Sequence, residues 1–353
     1  MNFHGGDIYS IETKVLDFSS NINPFGVPES FKRALIENIN DFIKYPDINY
    51  TELRETIKDY IGISNVDYIV QGNGAVEIIY KAIGAVGCKK AFVVSPTFSE
   101  YKRAVELNGI ECEEIDAFDE NYLSLNIDSL LHRIENNSLV ILCNPNNPTG
   151  TLTRREDICK LLEKLKDKKS TLLIDEAFIE FTPNYEESTM TSLIDEYDNL
   201  IIVRAATKFF GMPGIRLGYG ITKNELYMAN IKKTLEPWNI NTSAVIAGNT
   251  IFKDKEYIAK SQKWINEERE FLFNKLKEFR DLTVFKSNAN FHLLKINRKD
   301  INAYDLKELL IKEGILIRVP KGFYKLSDSY FRLAIKDRES NEFLIRKLKK
   351  IFK

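Results

Sequence analysis

A lysine and an arginine, eight residues apart, are the side chains in this sequence best suited to chemistry. Lys208 comes shortly after the apolar run Leu200–Val203, which predicts a buried strand of a parallel sheet that ends near the lysine. The residues that follow, 209–214, combine apolar side chains with glycine and proline, so we expect a crowded loop rather than a solvated helix. Burial lowers the pKa of a lysine, and a neutral amine can form a Schiff base with an aldehyde.

Arg216 completes a set of groups that fits one kind of ligand. Its planar guanidinium carries a permanent charge and can bind a phosphate through two parallel hydrogen bonds. Thr207 places a hydroxyl next to the lysine. An amine that can be neutralised, a hydroxyl and a phosphate-binding arginine together predict pyridoxal 5′-phosphate (PLP) as the cofactor. For this stretch alone, the alternative is that Lys208 is a surface lysine and that Arg216 forms a structural ion pair.

Polar side chains also stand where two earlier strands are predicted to end. Asn147 follows the run 140–143, and Asp175 closes the run 171–175. Because parallel strands present their carboxyl ends at one edge of a sheet, Asn147, Asp175 and Lys208 should meet there. A buried aspartate needs a partner, and the N–H of a pyridinium ring would be one. Taken alone, Asp175 could instead cap a helix or hold the backbone, but three such strand ends favour a site.

A short glycine turn, Gly72–Gly74, precedes apolar residues at helical spacing from Ala75 to Ile83. The N-terminus of a helix offers free N–H groups and the positive end of the helix dipole, which suits a phosphate. This G-x-G turn lacks the full dinucleotide-binding pattern. It gains weight because Arg216 is predicted as a second phosphate ligand.

The order of the predicted elements indicates an α/β fold. From 29 to 243, strands alternate with helices, which predicts a large domain with a mostly parallel sheet flanked by helices. Residues 1–28 are rich in Gly, Asn and Pro and predict an N-terminal arm, and residues 244–353 predict a smaller α+β domain. The predicted strands are 15–18, 66–70, 91–95, 140–143, 171–175, 200–203, 291–296, 315–318 and 330–335, and the main predicted helices are 29–39, 50–61, 75–83, 154–167, 254–280 and 303–313.

The composition narrows the range of partners. The 353 residues carry a formal net charge of −1 and have a pI of about 6.4, so no basic field favours nucleic acid or an anionic membrane. The four cysteines and three histidines show no metal-binding spacing, so we expect neither a metal nor a disulfide framework. No signal sequence and no apolar run of about 18 residues is visible, so we expect a cytoplasmic protein with a small-molecule partner.

Four motifs occur in an order that resembles one enzyme family. They are Asn147-Pro-Thr-Gly150, Asp175-Glu-Ala-Phe178, Thr207-Lys208 and Arg216-Leu-Gly-Tyr219. In that order they resemble the class I/II aminotransferases of PLP fold type I, and the similarity covers nearly the whole chain. Four ordered motifs are far more specific than any one of them.

The resemblance implies a role for each matched residue. Lys208 would be the Schiff-base lysine, Asp175 would pair with the pyridinium nitrogen, and both would be catalytic. The other cofactor contacts would come from Asn147 at the ring oxygen O3′, from Phe98 stacked on the ring, and from Gly74, Ala75, Thr207 and Arg216 at the phosphate. Tyr45 would reach that phosphate from a neighbouring subunit, which implies a homodimer.

Within the family, the sequence is most similar to the branch that contains histidinol-phosphate aminotransferases and threonine-phosphate decarboxylases. Several segments resemble the decarboxylases, namely His4-Gly-Gly-Asp7, Ser20-Asn-Ile-Asn-Pro24, Phe178 and Thr207-Lys-Phe-Phe210. The aminotransferases usually carry a tyrosine at the position of Phe178, whose hydroxyl helps to hold O3′, and phenylalanine cannot donate that hydrogen bond. Against this, Val319-Pro-Lys-Gly322 departs from the decarboxylase pattern.

We therefore expect an aminotransferase that acts on a phosphorylated amino compound and is like histidinol-phosphate aminotransferase, because transaminases dominate the branch. Its amine partner would be the 2-oxoglutarate/glutamate pair. The alternative is L-threonine-O-3-phosphate decarboxylase, which would use the same cofactor and site but release carbon dioxide. The resemblance implies that Arg332 binds the acidic group of the substrate, and it places Arg318, His4 and Asn23 around the same site. Such a set would suit a phosphorylated substrate, because arginines bind phosphate and carboxylate bidentately.

Overall fold

The protein is built around one large sheet and two small ones. The computed structural model describes residues 5–352, and its strands are β1 (Leu16–Asp17), β2 (Ile69–Asn73), β3 (Lys90–Ser95), β4 (Glu111–Asp116), β5 (Leu139–Cys143), β6 (Thr171–Asp175), β7 (Leu200–Ala205), β8 (Leu217–Ile221), β9 (Leu282–Val284), β10 (Phe291–Ile296), β11 (Ile315–Leu316) and β12 (Tyr330–Ala334). The large sheet has the order β2-β8-β7-β6-β5-β3-β4. Its strands β4, β3, β5, β6 and β7 run parallel, and β8 is antiparallel to both of its neighbours. This mostly parallel architecture confirms the predicted fold class.

The central strands consist almost entirely of buried apolar residues. β5, β6 and β7 are buried along their whole length, as expected for parallel strands that helices cover on both faces. Their side chains alternate between two apolar layers, with Val140 and Leu172 in one layer and Ile141 and Leu173 in the other. The predicted strand at 171–175 is confirmed, so Asp175 stands at the carboxyl end of β6.

Two strands of the large sheet have no counterpart among the predicted strands. β4 reads Glu-Cys-Glu-Glu-Ile-Asp and lies at the edge of the sheet, where most of its side chains are partly or fully exposed. β8 contains Gly218, where a Cβ would lie 2.2 Å from the backbone nitrogen of Ala75. The predicted strand 66–70 is wrong in its first part, because Val66–Tyr68 form a 3-10 helix and β2 begins at Ile69.

The α-helices of the described chain cover both faces of the large sheet and also pack in the C-terminal part. They are α1 (Glu29–Glu37), α2 (Thr51–Ile61), α3 (Ala75–Val86), α4 (Glu100–Leu107), α5 (Ile127–Arg133), α6 (Arg155–Asp167), α7 (Tyr185–Ser188), α8 (Ala206–Phe209), α9 (Glu225–Thr234), α10 (Thr242–Ile251), α11 (Lys255–Leu276), α12 (Ala303–Lys312) and α13 (Arg338–Leu348). The buried residues of α3, α4 and α9 pack into one apolar layer, and those of α2, α6 and α11 pack into the other. Amphipathic helices on both sides of the sheet thus leave its carboxyl edge open for a site.

The C-terminal part carries its own sheet, and the N-terminal arm lies against it. β12, β10 and β9 form an antiparallel sheet in that order. β1 pairs in parallel with β11, and the N–H of Ala334 donates to the carbonyl of Phe18 at 2.8 Å. The division into 1–28, 29–243 and 244–353 stays a prediction. Over residues 5–352, no helix combines the length and the apolar character needed to cross a membrane.

Candidate active site

A cavity of about 450 Å³ opens where β5, β6 and β7 end. Residues from the large sheet, the arm and the C-terminal strands all contribute to its wall. Of the predicted site residues, those that line it are Ala75, Phe98, Asn147, Asp175, Thr207, Lys208, Arg216, Arg318 and Arg332. The strand ends therefore converge as the sequence predicts.

Lys208 lies on the short helix α8, directly after β7. Burial lowers the pKa of its amine from the ordinary value of 10.5 to about 8. The charges of Arg332 and Arg216 contribute to this lowering of the pKa, and the charge of Asp175 opposes it. The amine can therefore act as a nucleophile, and it can take up or release a proton in the mildly alkaline range.

Asp175 is held by two hydrogen bonds. Its Oδ2 accepts from the hydroxyl of Tyr101 at 2.6 Å, and its Oδ1 accepts from the N–H of Ala177 at 2.9 Å. The residue is 4% exposed; burial raises the pKa of its carboxyl group, and the two hydrogen bonds lower it. Since a carboxylate oxygen can accept more than one hydrogen bond, Asp175 can still receive an N–H from a molecule in the cavity.

The N-terminus of α3 and Arg216 together form a seat for an anion. Gly74 has a φ of +81°, and a Cβ there would lie 2.3 Å from Nη2 of Arg216. Glycine is therefore required for the guanidinium to come this close to the backbone. The first N–H groups of α3, which begins at Ala75, have no partner within the helix. A cation beside free N–H groups is the arrangement that binds a phosphate.

Arg318 and Arg332 lie side by side on the wall. Their backbones form an antiparallel bridge, in which the N–H of Arg332 donates to the carbonyl of Arg318 at 2.8 Å. Arg332 donates through Nη2 to the carbonyl of Ser19 at 2.6 Å and through Nη1 to Oδ1 of Asn147. Arg318 donates through Nη2 to the carbonyl of Lys321 at 2.8 Å.

This pair of arginines is buried, and no carboxylate of the described residues forms an ion pair with either of them. Burial lowers the pKa of Arg332 to about 9 and that of Arg318 to about 10. Over residues 5–352, the side-chain hydrogen bonds of both arginines go to carbonyl oxygens, and neither forms an ion pair with a carboxylate. A buried cation without a partner is costly, so this wall should attract anionic groups.

The arm contributes a different asparagine from the predicted one. Asn23 is buried, and its Nδ2 donates to the carbonyl of Phe209 and to a serine hydroxyl, both at 2.8 Å. Asn23 is therefore bonded to the segment that carries Lys208, and it does not line the cavity. Asn21 lines the cavity instead, and its Oδ1 has no partner in the described part of the chain. Asn21 and Asn23 differ in their surroundings because the arm turns at Ile22, whose N–H donates to the carbonyl of Ser20 at 3.0 Å.

Two further predicted residues lie away from this wall or outside the described chain. Tyr45 is 75% exposed and stacks on Trp238, with 4.5 Å between the ring centroids. It does not line the cavity of its own chain, so its contact with a neighbouring subunit stays a prediction. His4 lies outside the described residues.

The groups that line the cavity fit PLP. The buried amine of Lys208 suits the aldehyde, the carboxylate of Asp175 suits the ring nitrogen, and the seat at Gly74 and Arg216 suits the phosphate. Among residues 5–352, no group of three or more His, Cys, Asp or Glu side chains is arranged to hold a metal ion.

Comparisons with known proteins identify the family. The profile of aminotransferase class I and II matches residues 13–348. A protein from Caldanaerobacter subterraneus subsp. tengcongensis, provisionally named a threonine-phosphate decarboxylase, is 42% identical over 349 residues, which cover 99% of this chain and 94% of that protein. A histidinol-phosphate aminotransferase from Methanococcus maripaludis is 31% identical over 343 residues, which cover 96% of this chain and 90% of that protein.

A solved structure has the same fold. The crystal structure of the histidinol-phosphate aminotransferase from Clostridium acetobutylicum matches with a TM-score of 0.89 and 38% identity, over 96% of this chain and 99% of that chain. This chain belongs to the aminotransferase class I and II family and has PLP fold type I, as its motifs predict. It is an enzyme that depends on PLP.

Proposed function

We propose that this enzyme acts on an amino acid that carries a phosphate, L-threonine O-3-phosphate, and removes its carboxyl group as carbon dioxide. The observation that supports this proposal is the pair Arg318 and Arg332, two buried neighbours that make no ion pair in the described chain. Like charges directly opposite each other on neighbouring strands repel. A substrate with two anionic groups would relieve that repulsion, and a phosphate and a carboxylate on one molecule provide both.

Phe178 favours decarboxylation over amine transfer. The residue is 6% exposed, lines the cavity, and packs edge-on against Phe291 with 5.2 Å between ring centroids. Its ring has no donor for the cofactor oxygen O3′, which the tyrosine usual in the aminotransferases would hold. The relative with 42% identity also carries the name of a decarboxylase.

Each cavity residue has a distinct role in this proposal. PLP, when bound, supplies an electron sink for the bond that breaks at the substrate's α carbon. Asp175 would keep the ring nitrogen charged, and Arg216 would hold the phosphate. Lys208 would anchor the cofactor, and its amine could hold or deliver a proton at Nζ. The two wall arginines would bind the phosphate and the carboxyl group of the substrate and so orient the bond that breaks.

Amine transfer from histidinol phosphate is the second candidate. The 38% identity to the Clostridium acetobutylicum structure supports it. In that reaction Arg332 would bind the phosphate of histidinol phosphate and, in the second half, a carboxylate of 2-oxoglutarate or glutamate. Lys208 would move a proton at the α carbon in place of the loss of carbon dioxide.

One experiment separates the two reactions. The purified enzyme is incubated with threonine phosphate or histidinol phosphate, with and without 2-oxoglutarate, and carbon dioxide and glutamate are followed. Carbon dioxide from threonine phosphate without a keto acid is the expected result. Glutamate formed from histidinol phosphate and 2-oxoglutarate, with no carbon dioxide, would favour the second candidate. Equal rates with unphosphorylated threonine or histidinol would remove the proposal of a phosphorylated substrate.

We also propose that the enzyme works as a homodimer. The segment 36–48 exposes a cluster of large apolar side chains, namely Ile36, Ile39, Phe42, Ile43, Tyr45 and Ile48. An exposed patch of this kind indicates a protein interface, and a second copy would cover it and bring Tyr45 to the partner's cavity. Light scattering should give the mass of a dimer, and Ile43→Glu should lower it to that of the monomer. A monomeric mass for the unmodified protein would contradict this proposal.

A further inference from the structure

Tyr101 touches two of the groups that surround the proposed cofactor ring. Its hydroxyl donates to Oδ2 of Asp175 at 2.6 Å. Its ring and the ring of Phe98 form a T-shaped pair, with 5.6 Å between centroids and an interplanar angle of 84°. The N–H of Tyr101 also donates to the carbonyl of Phe98 at 3.2 Å, where α4 begins. One side chain therefore links the carboxylate to the aromatic residue predicted to stack on the ring.

The geometry fixes the direction of the hydrogen bond. Tyr101 is 1% exposed, and burial together with the charge of Asp175 raises the pKa of its hydroxyl well above the ordinary value. The phenol therefore keeps its proton and donates it, and Asp175 must accept. The other oxygen of Asp175 accepts from the N–H of Ala177. Both carboxylate oxygens are thus held, and the plane of the carboxylate is set by Tyr101 and Ala177, which line the cavity beside it.

We propose that Tyr101 is a positioning residue that keeps Asp175 in its anionic form and aimed at the ring nitrogen of PLP. This rests on the assignment of Asp175 to that nitrogen. The nitrogen and Asp175 share one proton, which can make an ion pair or leave both groups neutral. A hydrogen bond donated to the carboxylate favours the ion pair, because it stabilises the charged form of Asp175. The ion pair is the form in which the ring withdraws electrons, so Tyr101 acts on the reaction through Asp175.

A cofactor analogue tests this proposal without the reaction. The affinity of PLP-free protein is measured for PLP and for 1-deazapyridoxal phosphate, in which a C–H replaces the ring nitrogen. Tyr101→Phe keeps the ring and its contact with Phe98 and removes the hydroxyl alone. We expect it to weaken PLP binding about tenfold, as the loss of a hydrogen bond to a charged group does. Binding of the analogue should change less than twofold, because the analogue has no nitrogen for Asp175 to hold.

Two further variants locate the effect. In an Asp175→Asn background, Tyr101→Phe should cause no further loss of PLP affinity, because the negative charge that its hydroxyl stabilises is already gone. Tyr80→Phe is the matched control. Its hydroxyl donates to Oε2 of Glu100 at 2.5 Å, so the variant removes a phenol–carboxylate bond that does not involve Asp175. It should leave the ratio of the two affinities unchanged.

The outcomes separate this proposal from the assignment it rests on. Equal losses for PLP and the analogue in Tyr101→Phe would overturn it, since a merely structural role weakens both. If Asp175→Asn itself does not discriminate between the two ligands, the assignment of Asp175 fails instead. Should Tyr101→Phe not fold, Tyr101→His keeps a ring and an N–H donor. A PLP-specific loss smaller than that of Asp175→Asn then supports the proposal, and equal losses for both ligands oppose it.

Discussion

Two groups of buried charges lie near the ends of β6 and β7, and they differ in how they are neutralised. The first, which we call the paired cluster, consists of Arg204, Glu176 and Glu180. Arg204 is fully buried, its Nη1 lies 3.2 Å from Oε2 of Glu176, and its Nη2 lies 2.7 Å from Oε1 of Glu180. Tyr185 and Thr189 add hydrogen bonds to the same guanidinium. The chain itself thus supplies ion-pair partners for Arg204, although its Nε and Oε2 of Glu180 make no hydrogen bond within the described residues.

The second group, the unpaired cluster, consists of Lys208, Arg318 and Arg332 on the cavity wall. Within residues 5–352 these three cations form no ion pair, and burial lowers the pKa of each. Paired charges are what a stable interior requires, whereas unpaired cations remain costly until an anion or an aldehyde arrives. The comparison indicates that the unpaired cations of the cavity destabilise the folded protein, whereas the cation of the paired cluster has the carboxylate partners that it needs. The variants below test that contrast.

The largest effect should follow the loss of the reactive amine. Lys208→Ala should abolish covalent attachment of PLP and lower activity at least about 10³-fold, because the variant offers no amine in its place. The folded PLP-free protein should remain at least as stable, since a buried unpaired cation has been removed. Borohydride reduction followed by peptide mapping gives the site of attachment. If the label lies on another lysine, the assignment of Lys208 is wrong.

The paired cluster should respond in the opposite way. Arg204→Met leaves the carboxylates of Glu176 and Glu180 buried without their cation, so we expect a loss of about 3–5 kcal/mol in the free energy of unfolding. Urea denaturation of the PLP-free protein measures it, with Arg204→Lys as the control that keeps the charge. A loss below about 1 kcal/mol would show that the two clusters do not differ in kind.

Titration of Lys208 tests the unpaired cluster directly. Competitive labelling with acetic anhydride across a pH series should give Lys208 a pKa of about 8, against 10.5 for an ordinary lysine. Between these values the unfolded chain binds more protons than the native one. The contribution of Lys208 to the free energy of unfolding should therefore rise with pH in that window. The comparison is made with Lys208→Met, and an ordinary pKa would mean that the amine is solvated.

Much of the fold can be predicted from the sequence, because buried parallel strands have a strong apolar signal. The strands at 171–175 and 291–296 match the structure, and β5 and β7 differ from prediction at their ends. β4 is missed because an edge strand with exposed acidic residues lacks an apolar run. β8 is missed because its glycines, Gly218 and Gly220, resemble a loop. They are required by close packing against Ala75 and Ile78, which local sequence cannot reveal.

The residues of the candidate site also differ in whether the local sequence predicts them. Residues that follow a strand or belong to a motif, such as Asp175 and Lys208, can be predicted from local pattern. Asn21 and Tyr101 cannot, because their places depend on a turn of the arm and on a contact between residues 74 positions apart. The paired and unpaired arginines also look alike in the sequence, since each follows apolar strand residues. Which of them finds a carboxylate is decided by the packing of distant segments.

The smallest expected effect is also the closest comparison of the two clusters. Arg318→Met, like Arg204→Met, replaces a buried arginine with an unbranched apolar side chain. Arg318 gives up one hydrogen bond, to the carbonyl of Lys321, and a contact in which its guanidinium lies 5.0 Å from the ring centroid of Phe323. Against these losses, the variant removes the repulsion between Arg318 and Arg332 and the cost of burying one cation.

We therefore expect the free energy of unfolding of Arg318→Met to change by less than about 1 kcal/mol in either direction. Use of threonine phosphate should nevertheless fall at least about tenfold, because one of its two anionic groups loses a partner. Urea denaturation and steady-state kinetics on the same preparation give both numbers, and PLP absorbance confirms that the cofactor is bound. A loss of stability as large as that of Arg204→Met would mean that Arg318 is a structural residue. The unpaired cluster would then consist of Lys208 and Arg332, and one arginine would remain for the substrate.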